Sequence, residues 1–493
     1  MNTPGLTQHI HSQAQWPLHT VAQTRAIEHR AQAALPAYTL MQRAGLATAQ
    51  LALAIAPHAQ KIWIACGPGN NGGDGLEAAL HLHAWGKQPI VTWLSRSEHC
   101  PVDAQQAWQR AKDVGVMFAE HPPEDFDLAI DALLGIGTQR VPEGVMAQWL
   151  QALQSTPQPV LCIDVPTGLH ADTGAWSSTR AEQAANTQRH TLSLLTLKPG
   201  LFTAHGRDAA GQVWFNDLGI HDWQAYNPIA WLQQSKPTNL QPPHSSHKGS
   251  FGDVCILGGA QGMTGAAALA GIAALHGGAG RVFVGLIDTS ARHALFAYLP
   301  LMSRNASDLD LANATVVCGC GGGDDIHAFM PQALSTSHQL VIDADALNAI
   351  ARDTSLQRLL IQRHARGKPT VLTPHPLEAA RLLQCTTQDV QNNRLWAAQT
   401  LADKFRCVVV LKGSGSTIAS PHHTPVINSS GNALLATAGT GDVLAGLIGA
   451  YVARHDDAFD ATCRAVWTHG HVADTWPHSG PALDAAALAA SVR

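Results

Sequence analysis

The sequence predicts an α/β protein with two three-layer αβα domains, each built on a mostly parallel sheet with helices on both faces. The chain has 493 residues, which is too long for one core of ordinary size. Short apolar runs alternate with helical patterns in both halves, as in parallel sheets with crossover helices. Residues 233–247 are polar, with three prolines and three serines, and separate the halves. We therefore expect domains at 1–235 and 248–493, joined by a linker at 236–247.

The composition argues against several classes of protein. Hydrophobic residues make up 45% of the chain and charged residues 14%, which fits a folded globular protein rather than a disordered one. A net charge of −5 supplies no bulk attraction to nucleic acid or to anionic membranes. The nine cysteines form no C-x-x-C pair, the first residues lack a signal-peptide pattern, and the apolar stretch 265–280 is too short to span a bilayer. We expect a cytoplasmic protein that binds neither nucleic acid nor membrane.

Each half has its own series of predicted strands and helices. In the first half the apolar runs are 61–66, 89–94, 128–135, 159–166 and 191–197, and the helical patterns are 20–55, 103–114 and 145–154. In the second half the apolar runs are 253–259, 281–286, 314–323, 339–347, 369–376 and 407–415, with helices within 265–280 and 438–453. Because the halves show no clear internal repeat, we expect two different α/β domains.

The first candidate site is the glycine-rich loop GPGNNGGDG at residues 67–75. Its glycines match the G-x-G-x-x-G spacing of a dinucleotide-binding turn between a strand and a helix. The acidic residue that usually follows about 20 positions later has no good match, because Glu98 comes several residues late. Asp74 is unexpected in a pyrophosphate cradle, and its alternative role is that of a helix N-cap. The loop predicts a Rossmann-like domain with an unusual ligand site.

Two aspartates end neighbouring predicted strands. Asp131 and Asp164 lie where the carboxyl ends of parallel strands usually form a ligand site. Each aspartate has the alternative role of capping a turn. The side-chain oxygens of Asn71, Asp131 and Thr167 suit a hard cation better than a soft one.

Four segments of the first half together resemble a known family. LMQRAG (40–45), GPGNNGGDG (67–75), DALLGIG (131–137) and IDVPTGL (163–169) are similar to the epimerase domain of NAD(P)H-hydrate repair enzymes. The resemblance covers nearly all of 15–230. It implies that the bound dinucleotide is hydrated on its nicotinamide ring and is a substrate rather than a redox cofactor.

The same resemblance implies roles for individual residues. The residues implied to contact the hydrated dinucleotide are Asn70, Asn71, Gly72, Gly73, Asp74, Gly135, Ile136, Gly137, Thr138, Gln139, Arg140, Val141 and Asp164. It implies that Asn71, Asp131 and Thr167 hold a potassium ion, and that Asp164 is the acid or base that interconverts the R and S hydrates. Thr167 stands where the family often has serine, and a lysine of some members is replaced near 95–96.

The second half contains a glycine turn that opens a helix, AGTGDVLAG at 438–446. Free amides at a helix start stabilise an anion, and Asp442 beside them can take a proton from a hydroxyl that attacks a phosphoryl group. The alternative role of Asp442 is that of an N-cap. LKGSGS at 411–416 is either a phosphate-binding loop or a hairpin turn, and neither stretch matches a P-loop.

Three further stretches of the second half are of interest, and two of them leave alternatives open. His375, between two prolines at a strand end, is either a ligand contact or a structural histidine. Asp343 and Asp345 follow a strand, where metal binding and helix capping are both plausible. GCGGG at 319–323 predicts a second flexible turn.

As an ordered set, these motifs resemble the ribokinase-like fold and, in particular, the ADP/ATP-dependent NAD(P)H-hydrate dehydratase. The set also includes HKGSFGDV (247–254) and GAAALAG (265–271), and it spans about 245–490. The resemblance implies dinucleotide contacts from Ala266, Gly321, His375 and Asp442. It implies contacts with the phosphate-donor nucleotide from Lys412, Gly413, Ser414, Gly415, Ser416 and Gly441. GCGGG departs from the family, in which many members have Pro and Leu there.

Together the two resemblances imply a bifunctional enzyme. The first domain would equilibrate the R and S forms of NADHX and NADPHX, the hydrates of NADH and NADPH. The second would dehydrate the S form with ADP, or ATP, and Mg²⁺: Asp442 activates the ring hydroxyl for phosphorylation, and phosphate then leaves more readily than water. The alternative function is a ribokinase-like vitamin-precursor kinase with a non-catalytic N-terminal binding module. We also expect a homo-oligomer.

Overall fold

The chain folds into two compact units. The computed structural model describes residues 5–10, 14–94, 100–137, 141–176, 188–233, 243–291, 300–454, 457–477 and 479–492. Of these, 5–10 and 16–230 form the first unit, and 14–15 and 231–492 form the second. The predicted linker and its boundaries stay a prediction, because 234–242 lie outside the described residues. Among the helices of the described residues, none combines the length and the apolar character needed to cross a membrane.

The first unit alternates strands with helices. Its strands are β1 (Gln8–His9), β2 (Trp16–Leu18), β3 (Lys61–Cys66), β4 (Gln88–Trp93), β5 (Met117–Ala119), β6 (Leu128–Ala132), β7 (Val160–Ile163), β8 (Arg189–Leu194) and β9 (Gln212–Asn216). Its helices are α1 (Val21–Ala34), α2 (Thr39–Ile55), α3 (Asn70–Ala84), α4 (Val102–Asp113), α5 (Gly144–Ser155) and α6 (Gly206–Ala210). The sheet order is β1-β9-β8-β7-β6-β3-β4-β5, and all neighbours are parallel except β1 and β9.

Helices cover both faces of this sheet because its central strands are apolar on both sides. Ile62 of β3 packs with residues of α1 to α4, whereas its neighbour Trp63 points to the other face and packs with α5. The predicted three-layer arrangement is therefore confirmed for this unit. The helical pattern at 20–55 forms two helices rather than one, because Pro36 interrupts it and Tyr38 adopts a left-handed backbone (φ 69°).

The second unit is a larger sheet with its own helices. Its strands are β10 (Ala230–Leu232, of which the last two residues belong to this unit), β11 (Asp253–Gly258), β12 (Arg281–Leu286), β13 (Met302–Asn305), β14 (Thr315–Cys318), β15 (Gln339–Ile342), β16 (Thr370–Leu372), β17 (Val408–Leu411), β18 (Thr417–Ser420) and β19 (His423–Ile427). Its helices are α7 (Thr264–His276), α8 (Met330–Thr336), α9 (Ala344–Arg352), α10 (Thr354–Ala365), α11 (Pro376–Leu383), α12 (Thr387–Asn392), α13 (Arg394–Phe405), α14 (Thr440–Arg454), α15 (Ala458–Asp474) and α16 (Ala485–Ser491). The sheet order is β13-β12-β11-β14-β15-β16-β17-β18-β19-β10.

This sheet is parallel from β13 to β17 and also has helices on both faces. Val254 of β11 packs with α7, α14 and α15, whereas the next residue, Cys255, packs on the other face with α8 to α11 and α13. The predicted α/β class is confirmed here too. β18 adds an antiparallel strand to β17, because the chain reverses after Leu411 through a turn in which Gly413 and Gly415 have positive φ. The predicted apolar run at 407–415 therefore contains both a strand and a hairpin turn.

Candidate active sites

A cavity of about 530 Å³ opens in the first unit at the carboxyl ends of β3, β6 and β7. Seven of the residues predicted to contact substrate line it: Asn70, Asn71, Asp74, Gly135, Ile136, Gly137 and Asp164. The first two helices supply walls that the sequence did not predict, from Thr24, Arg25, Glu28, Gln32, Leu40, Met41 and Ala44. Among the described residues Val141 does not line the cavity and is half exposed, and Thr138, Gln139 and Arg140 lie outside the described residues.

Gly67, Gly72 and Gly73 of the loop permit close packing of the backbone, whereas Gly69 lines the cavity. A side chain at Gly67 would place its Cβ 1.8 Å from the carbonyl oxygen of Leu133. A Cβ at Gly72 would lie 2.0 Å from the carbonyl oxygen of Gly67, and one at Gly73 would meet the side chain of Met41 at 2.6 Å. Gly72 and Gly73 thus hold the start of α3 against its neighbours. Nothing larger than hydrogen fits at Gly67, Gly72 or Gly73, because a side chain there would meet the packed backbone or Met41.

Asp74 lies within α3 and faces the cavity, so its alternative role as an N-cap is wrong. The helix begins at Asn70, and Gly69 occupies the N-cap position. Burial raises the pKa of Asp74 well above its usual value, and the negative charges of Asp164 and Glu28 raise it further. The raised pKa favours the carboxylic acid form of Asp74, which can donate a proton or a hydrogen bond.

The three residues predicted to bind a cation lie around the loop that follows β6. The buried carboxylate of Asp131 accepts hydrogen bonds from the hydroxyl (2.7 Å) and the backbone N–H (3.0 Å) of Thr167 and from the N–H of Leu133 (3.2 Å). The Thr167 hydroxyl oxygen also accepts from the N–H of Leu134 at 3.1 Å. The buried side-chain nitrogen of Asn71 has no hydrogen-bond partner among the described residues. Burial raises the pKa of Asp131 and thus disfavours its ionised form. A nearby cation would act in the opposite direction and favour the ionised form.

Asp164 follows β7 and presents its carboxylate to the cavity. Its backbone is left-handed (φ 67°), a conformation that costs energy in residues other than glycine and often marks functional positions. Its Oδ2 atom accepts a hydrogen bond from the N–H of Ile136 at 3.2 Å. Its Oδ1 atom forms an ion pair with the buried ammonium of Lys198, a residue that the sequence analysis missed.

The second candidate site lies at the start of α14 in the second unit. This helix begins at Thr440, so Asp442 lies in its first turn and is not its N-cap. The ligand atoms of Asp442, Asp343 and Cys320 all lie within 4.8 Å of one another. Burial raises the pKa of Asp442 to about 6, and the charge of Asp343 contributes in the same direction. Asp442 is therefore ionised at neutral pH but close to protonation, which suits a general base.

Lys412, predicted to contact the nucleotide, forms a buried ion pair with Asp343. Its Nζ atom lies 2.6 Å from Oδ1 of Asp343, which also accepts from the hydroxyl of Thr373 at 2.7 Å. The same Nζ atom lies 3.4 Å from the position that a Cβ at Gly441 would occupy. A cation therefore stands beside the amides at the start of α14, where an anionic phosphoryl group would be stabilised.

Two predicted substrate contacts of the second unit lie together. Gly321 has a positive φ (58°), and a Cβ there would lie 2.9 Å from the Cβ of Ala266 at the start of α7. The turn at 319–323 thus packs directly against the first turn of that helix. The side chain of Asp345 fixes the turn by accepting from the N–H of Gly323 at 2.9 Å.

His375 is the N-cap of α11, which supports the structural alternative for this residue. Its Nδ1 atom accepts from the N–H groups of Leu377 (3.1 Å) and Glu378 (3.3 Å). Glu378 reciprocates by accepting from the His375 N–H at 2.8 Å, which completes a capping box. The imidazole side chain remains 44% exposed, so capping leaves its outer edge open to a ligand.

The hairpin turn at 413–416 rests on a buried arginine that the sequence analysis also missed. Arg394 donates hydrogen bonds to the carbonyl oxygens of Leu411 and Lys412, both at 3.0 Å. Ser416 donates to the carbonyl oxygen of Gly413 at 3.1 Å. The turn is therefore held by side chains on both of its sides.

The family models match both halves of the chain. The model described as NAD(P)H-hydrate dehydratase matches residues 254–491, and the model described as YjeF-related protein N-terminus matches residues 37–200. Among solved structures, a ribokinase-like superfamily protein of Enterococcus faecalis is 24% identical and covers 51% of this chain and 89% of its own, with a TM-score of 0.45. The ADP/ATP-dependent NAD(P)H-hydrate dehydratase of Bacillus subtilis, co-crystallised with ATP and Mg²⁺, is 27% identical and covers 50% and 90%, with a TM-score of 0.44.

Curated relatives match the chain across both units. The bifunctional NAD(P)H-hydrate repair enzyme Nnr of Escherichia coli (strain K12) is 35% identical over 465 residues, which are 89% of this chain and 85% of the relative. The enzyme of the same name from Coxiella burnetii is 32% identical over 476 residues, which are 93% of this chain and 94% of the relative. The Leishmania braziliensis enzyme is 32% identical and covers 88% and 84%. With this identity over nearly its whole length, the chain belongs to the family of bifunctional NAD(P)H-hydrate repair enzymes.

Proposed function

We propose that this chain restores hydrated NADH and NADPH in two steps. The first unit interconverts the R and S hydrates, and the second dehydrates the S form with a nucleotide as phosphoryl donor. The observation that carries the proposal is the pair of aspartates at the two sites, Asp164 in the cavity of the first unit and Asp442 at the start of α14 in the second. The vitamin-precursor kinase with a non-catalytic N-terminal module is not favoured, because the relatives that match both units are bifunctional repair enzymes.

Epimerisation requires a carbon–oxygen bond to break and to form again on the opposite face. Hydration of an enamine places the hydroxyl on the carbon beside the ring nitrogen, whose electron pair helps the hydroxyl to leave as water once it is protonated. Asp74, whose pKa is raised by burial, is suited to donate that proton. Asp164 is suited to take the proton from the water that returns. The carboxyl groups of Asp74 and Asp164, which line one cavity, can thus exchange the roles of acid and base as the hydrate inverts.

The first site suits a potassium ion held by Asn71, Asp131 and Thr167. The fit rests on a buried carboxylate with no ion-pair partner among the described residues, a hydroxyl beside it, and an amide side chain whose nitrogen is unpartnered. Potassium, when bound, supplies a fixed positive charge that stabilises this loop and the anionic parts of a dinucleotide. Asp131 and Thr167 would contribute oxygen ligands, and Asn71 would turn its amide oxygen towards the ion.

Removing the hydroxyl of Thr167 should abolish the effect of potassium on stability. We expect added K⁺ to raise the melting temperature of the wild type and of T167S, which keeps the hydroxyl, but not that of T167V. The reason is that valine offers no oxygen to the ion and leaves Asp131 without its 2.7 Å hydrogen bond. Thermal unfolding in K⁺ and in a large organic cation measures this, and an undiminished K⁺ effect in T167V would exclude the assignment.

Dehydration at the second site follows from the arrangement around α14. Asp442 takes the proton of the ring hydroxyl, whose oxygen attacks the terminal phosphorus of the nucleotide. Lys412 and the amides at the helix start face the negative charge that develops on the transferred group. Phosphate then leaves with its electron pair, and loss of a proton from the adjacent carbon restores the double bond. With ADP as donor the products are AMP, phosphate and NAD(P)H.

Magnesium is suited to enter this site together with the nucleotide. Cys320, Asp343 and Asp442 lie close together, but a thiol is a poor ligand for Mg²⁺, and Asp343 is already paired with Lys412. These residues therefore do not form an all-oxygen cage for the ion. Mg²⁺, when bound through the nucleotide phosphates, neutralises charge on the leaving nucleotide.

The turn at 413–416 is suited to hold the nucleotide phosphates, and a test of this uses glycine. In G413A the new Cβ would lie 3.0 Å from the guanidinium of Arg394, at a φ of 137° that alanine disfavours. We expect a KM for the nucleotide about tenfold higher, since the strain shifts the turn. G367A is the control, because Gly367 also has a positive φ (63°) but no atom lies within 4 Å of its Cβ position. A turn that does not bind nucleotide would leave the KM of both variants equal.

The activity itself is tested with a mixture of the R and S hydrates. Incubation without nucleotide, with ADP and with ATP, each with K⁺ and Mg²⁺, is followed at the 340-nm absorption of NAD(P)H. We expect complete recovery of both hydrates with the preferred nucleotide, with one phosphate released per molecule restored, and we expect ADP to be preferred. A stable phosphorylated product would refute the proposal. A homo-oligomer acting in the cytoplasm stays an expectation, which gel filtration and fractionation would test.

A further inference from the structure

A lysine is fully buried next to the aspartate of the first site. The side chain of Lys198 has 0% exposure, although burying an ammonium costs several kcal/mol unless the charge is compensated. It belongs to the segment that follows β8, where Leu195 adopts a left-handed backbone (φ 61°) and reverses the chain. This reversal returns Lys198 to the end of its own strand, 34 residues from Asp164 in the sequence.

The ammonium of Lys198 uses all of its hydrogen-bonding capacity inside the protein. It donates to Oδ1 of Asp164, to the carbonyl oxygen of Leu194 at 2.7 Å and to the hydroxyl oxygen of Ser193 at 3.3 Å. A lysine ammonium has only three N–H bonds, so none is left for a ligand. Lys198 is also not among the residues that line the cavity in the described chain. Any effect of Lys198 on a substrate must therefore act through Asp164.

The consequence for Asp164 is that its two oxygen atoms have different surroundings. Oδ1 is anchored by the ammonium of Lys198 and faces the N–H of Leu194 at 3.5 Å. Oδ2 lies beside the cavity, 3.2 Å from the N–H of Ile136 and 3.3 Å from the Cβ position of Gly135. The side chain of Asp164, whose backbone is left-handed, is thus held through its Oδ1 atom, and its Oδ2 atom points into the cavity.

Other acidic side chains lie near the ion pair of Asp164 and Lys198. Glu28 of α1 and Asp74 of α3 line the same cavity, so Asp164 lies near two further carboxyl groups. Lys198 is the side-chain cation in direct contact with Asp164 among the described residues. The other two hydrogen-bond partners of Lys198 are uncharged, so among the described residues Asp164 is the one carboxylate that it contacts directly.

We propose that Lys198 is a positioning residue that holds Oδ1 of Asp164 through a buried ion pair and thereby aims its Oδ2 atom at the hydrated nicotinamide ring. The proposal rests on the proposed epimerase function of this site. It assigns different parts to two carboxyl groups that line one cavity: Asp164, held by the buried ammonium of Lys198, takes the proton of the returning water, and Asp74 supplies the acid.

The test is the pH dependence of R-hydrate turnover in K198M and K198R. Methionine keeps an apolar side chain of similar length but removes the charge, so we expect the acid side of the pH profile to move to higher pH by about one to three units. R turnover at neutral pH should fall at least tenfold. K198R keeps the cation and should restore most of the profile. Turnover of the S hydrate by the second unit, measured in the same samples, should not change.

Two controls separate positioning from simple loss of structure. T191V removes a buried hydrogen bond of β8, from the Thr191 hydroxyl to the carbonyl oxygen of Ala210 at 2.9 Å, without touching Asp164. It should lower the melting temperature but leave the pH profile in place. If K198M does not fold, K198M/D164N should fold again, because the double variant removes both buried charges.

The outcomes distinguish this inference from the proposed function. A wild type that converts no R hydrate would refute the epimerase function itself, whatever the lysine does. Active K198M with an unmoved pH profile, or T191V with the same shift as K198M, would overturn the role of Lys198 while leaving the epimerase function intact.

Discussion

Replacing Asp164 by asparagine should abolish R-hydrate turnover and leave S-hydrate turnover unchanged. Asparagine keeps an oxygen that can accept the hydrogen bond from Lys198, so the side chain is expected to stay in place. It cannot take a proton, and loss of a general base typically lowers a rate by about 10²–10⁴-fold. The measurement is the fraction of a mixed R/S sample that is restored to NAD(P)H. We expect it to stop at the S fraction, apart from spontaneous interconversion.

The matched control for this variant is D172N. Asp172 lies in the same unit and accepts a hydrogen bond from the N–H of Val21 at 2.8 Å, but it does not line the cavity among the described residues. D172N should restore both hydrates. Equal R turnover in D164N and the wild type would show that the first unit is a binding module. The melting temperature of each variant reports whether the fold is kept.

Replacing Asp442 by asparagine should abolish dehydration and leave the interconversion of R and S hydrates intact. We expect a loss of about 10²–10⁴-fold in NAD(P)H recovery and in phosphate release, because Asp343, the carboxylate beside Asp442, is already paired with Lys412. The epimerase step is measured separately, as the return of a resolved R sample to an R/S mixture. A retained rate of phosphate release in D442N would refute the assignment of Asp442 as the base.

The pH dependence of the wild type supplies a second test of Asp442. Burial and the charge of Asp343 raise its pKa to about 6. A base acts only in its ionised form, so S-hydrate dehydration should be constant above this pKa and fall about tenfold per pH unit well below it. D457N is the control variant, because Asp457 only caps α15 by accepting from the N–H of Asp460 at 2.7 Å. It should keep the wild-type profile.

The neutral histidine beside this site should not contribute to that profile. His469 is buried and donates from Nε2 to the carbonyl oxygen of Thr440 at 2.9 Å. Burial lowers its pKa to about 4, so it stays neutral over the range in which Asp442 titrates. The pH profile of dehydration is therefore expected to have a single acid limb, which belongs to Asp442. The hydrogen bond from His469 also holds the start of α14 in place.

The sequence by itself determined the fold class, and it supplied the candidate residues of both proposed sites. Apolar runs bounded by glycine and aspartate predicted the central strands, because the signals for a buried strand and its following turn lie within a few residues. The loop at 67–75 and the aspartates at 131 and 164 followed three such strands, and parallel topology brings those ends together. The same local signals left the roles of single side chains open: Asp74 and Asp442 lie inside their helices and are not N-caps, whereas His375 caps α11 and keeps an exposed edge.

Only the tertiary structure decided which charges meet. Lys198 lies 34 residues from Asp164, and Lys412 lies 69 residues from Asp343, so no local pattern relates the members of either pair. The sequence also did not predict that α1 and α2 line the first cavity, because their residues form an ordinary helical pattern. Contacts of this kind depend on how strands and helices pack, which is the sum of many weak interactions along the whole chain. The sequence thus specifies the acids, and the packing specifies which charged groups surround each of them.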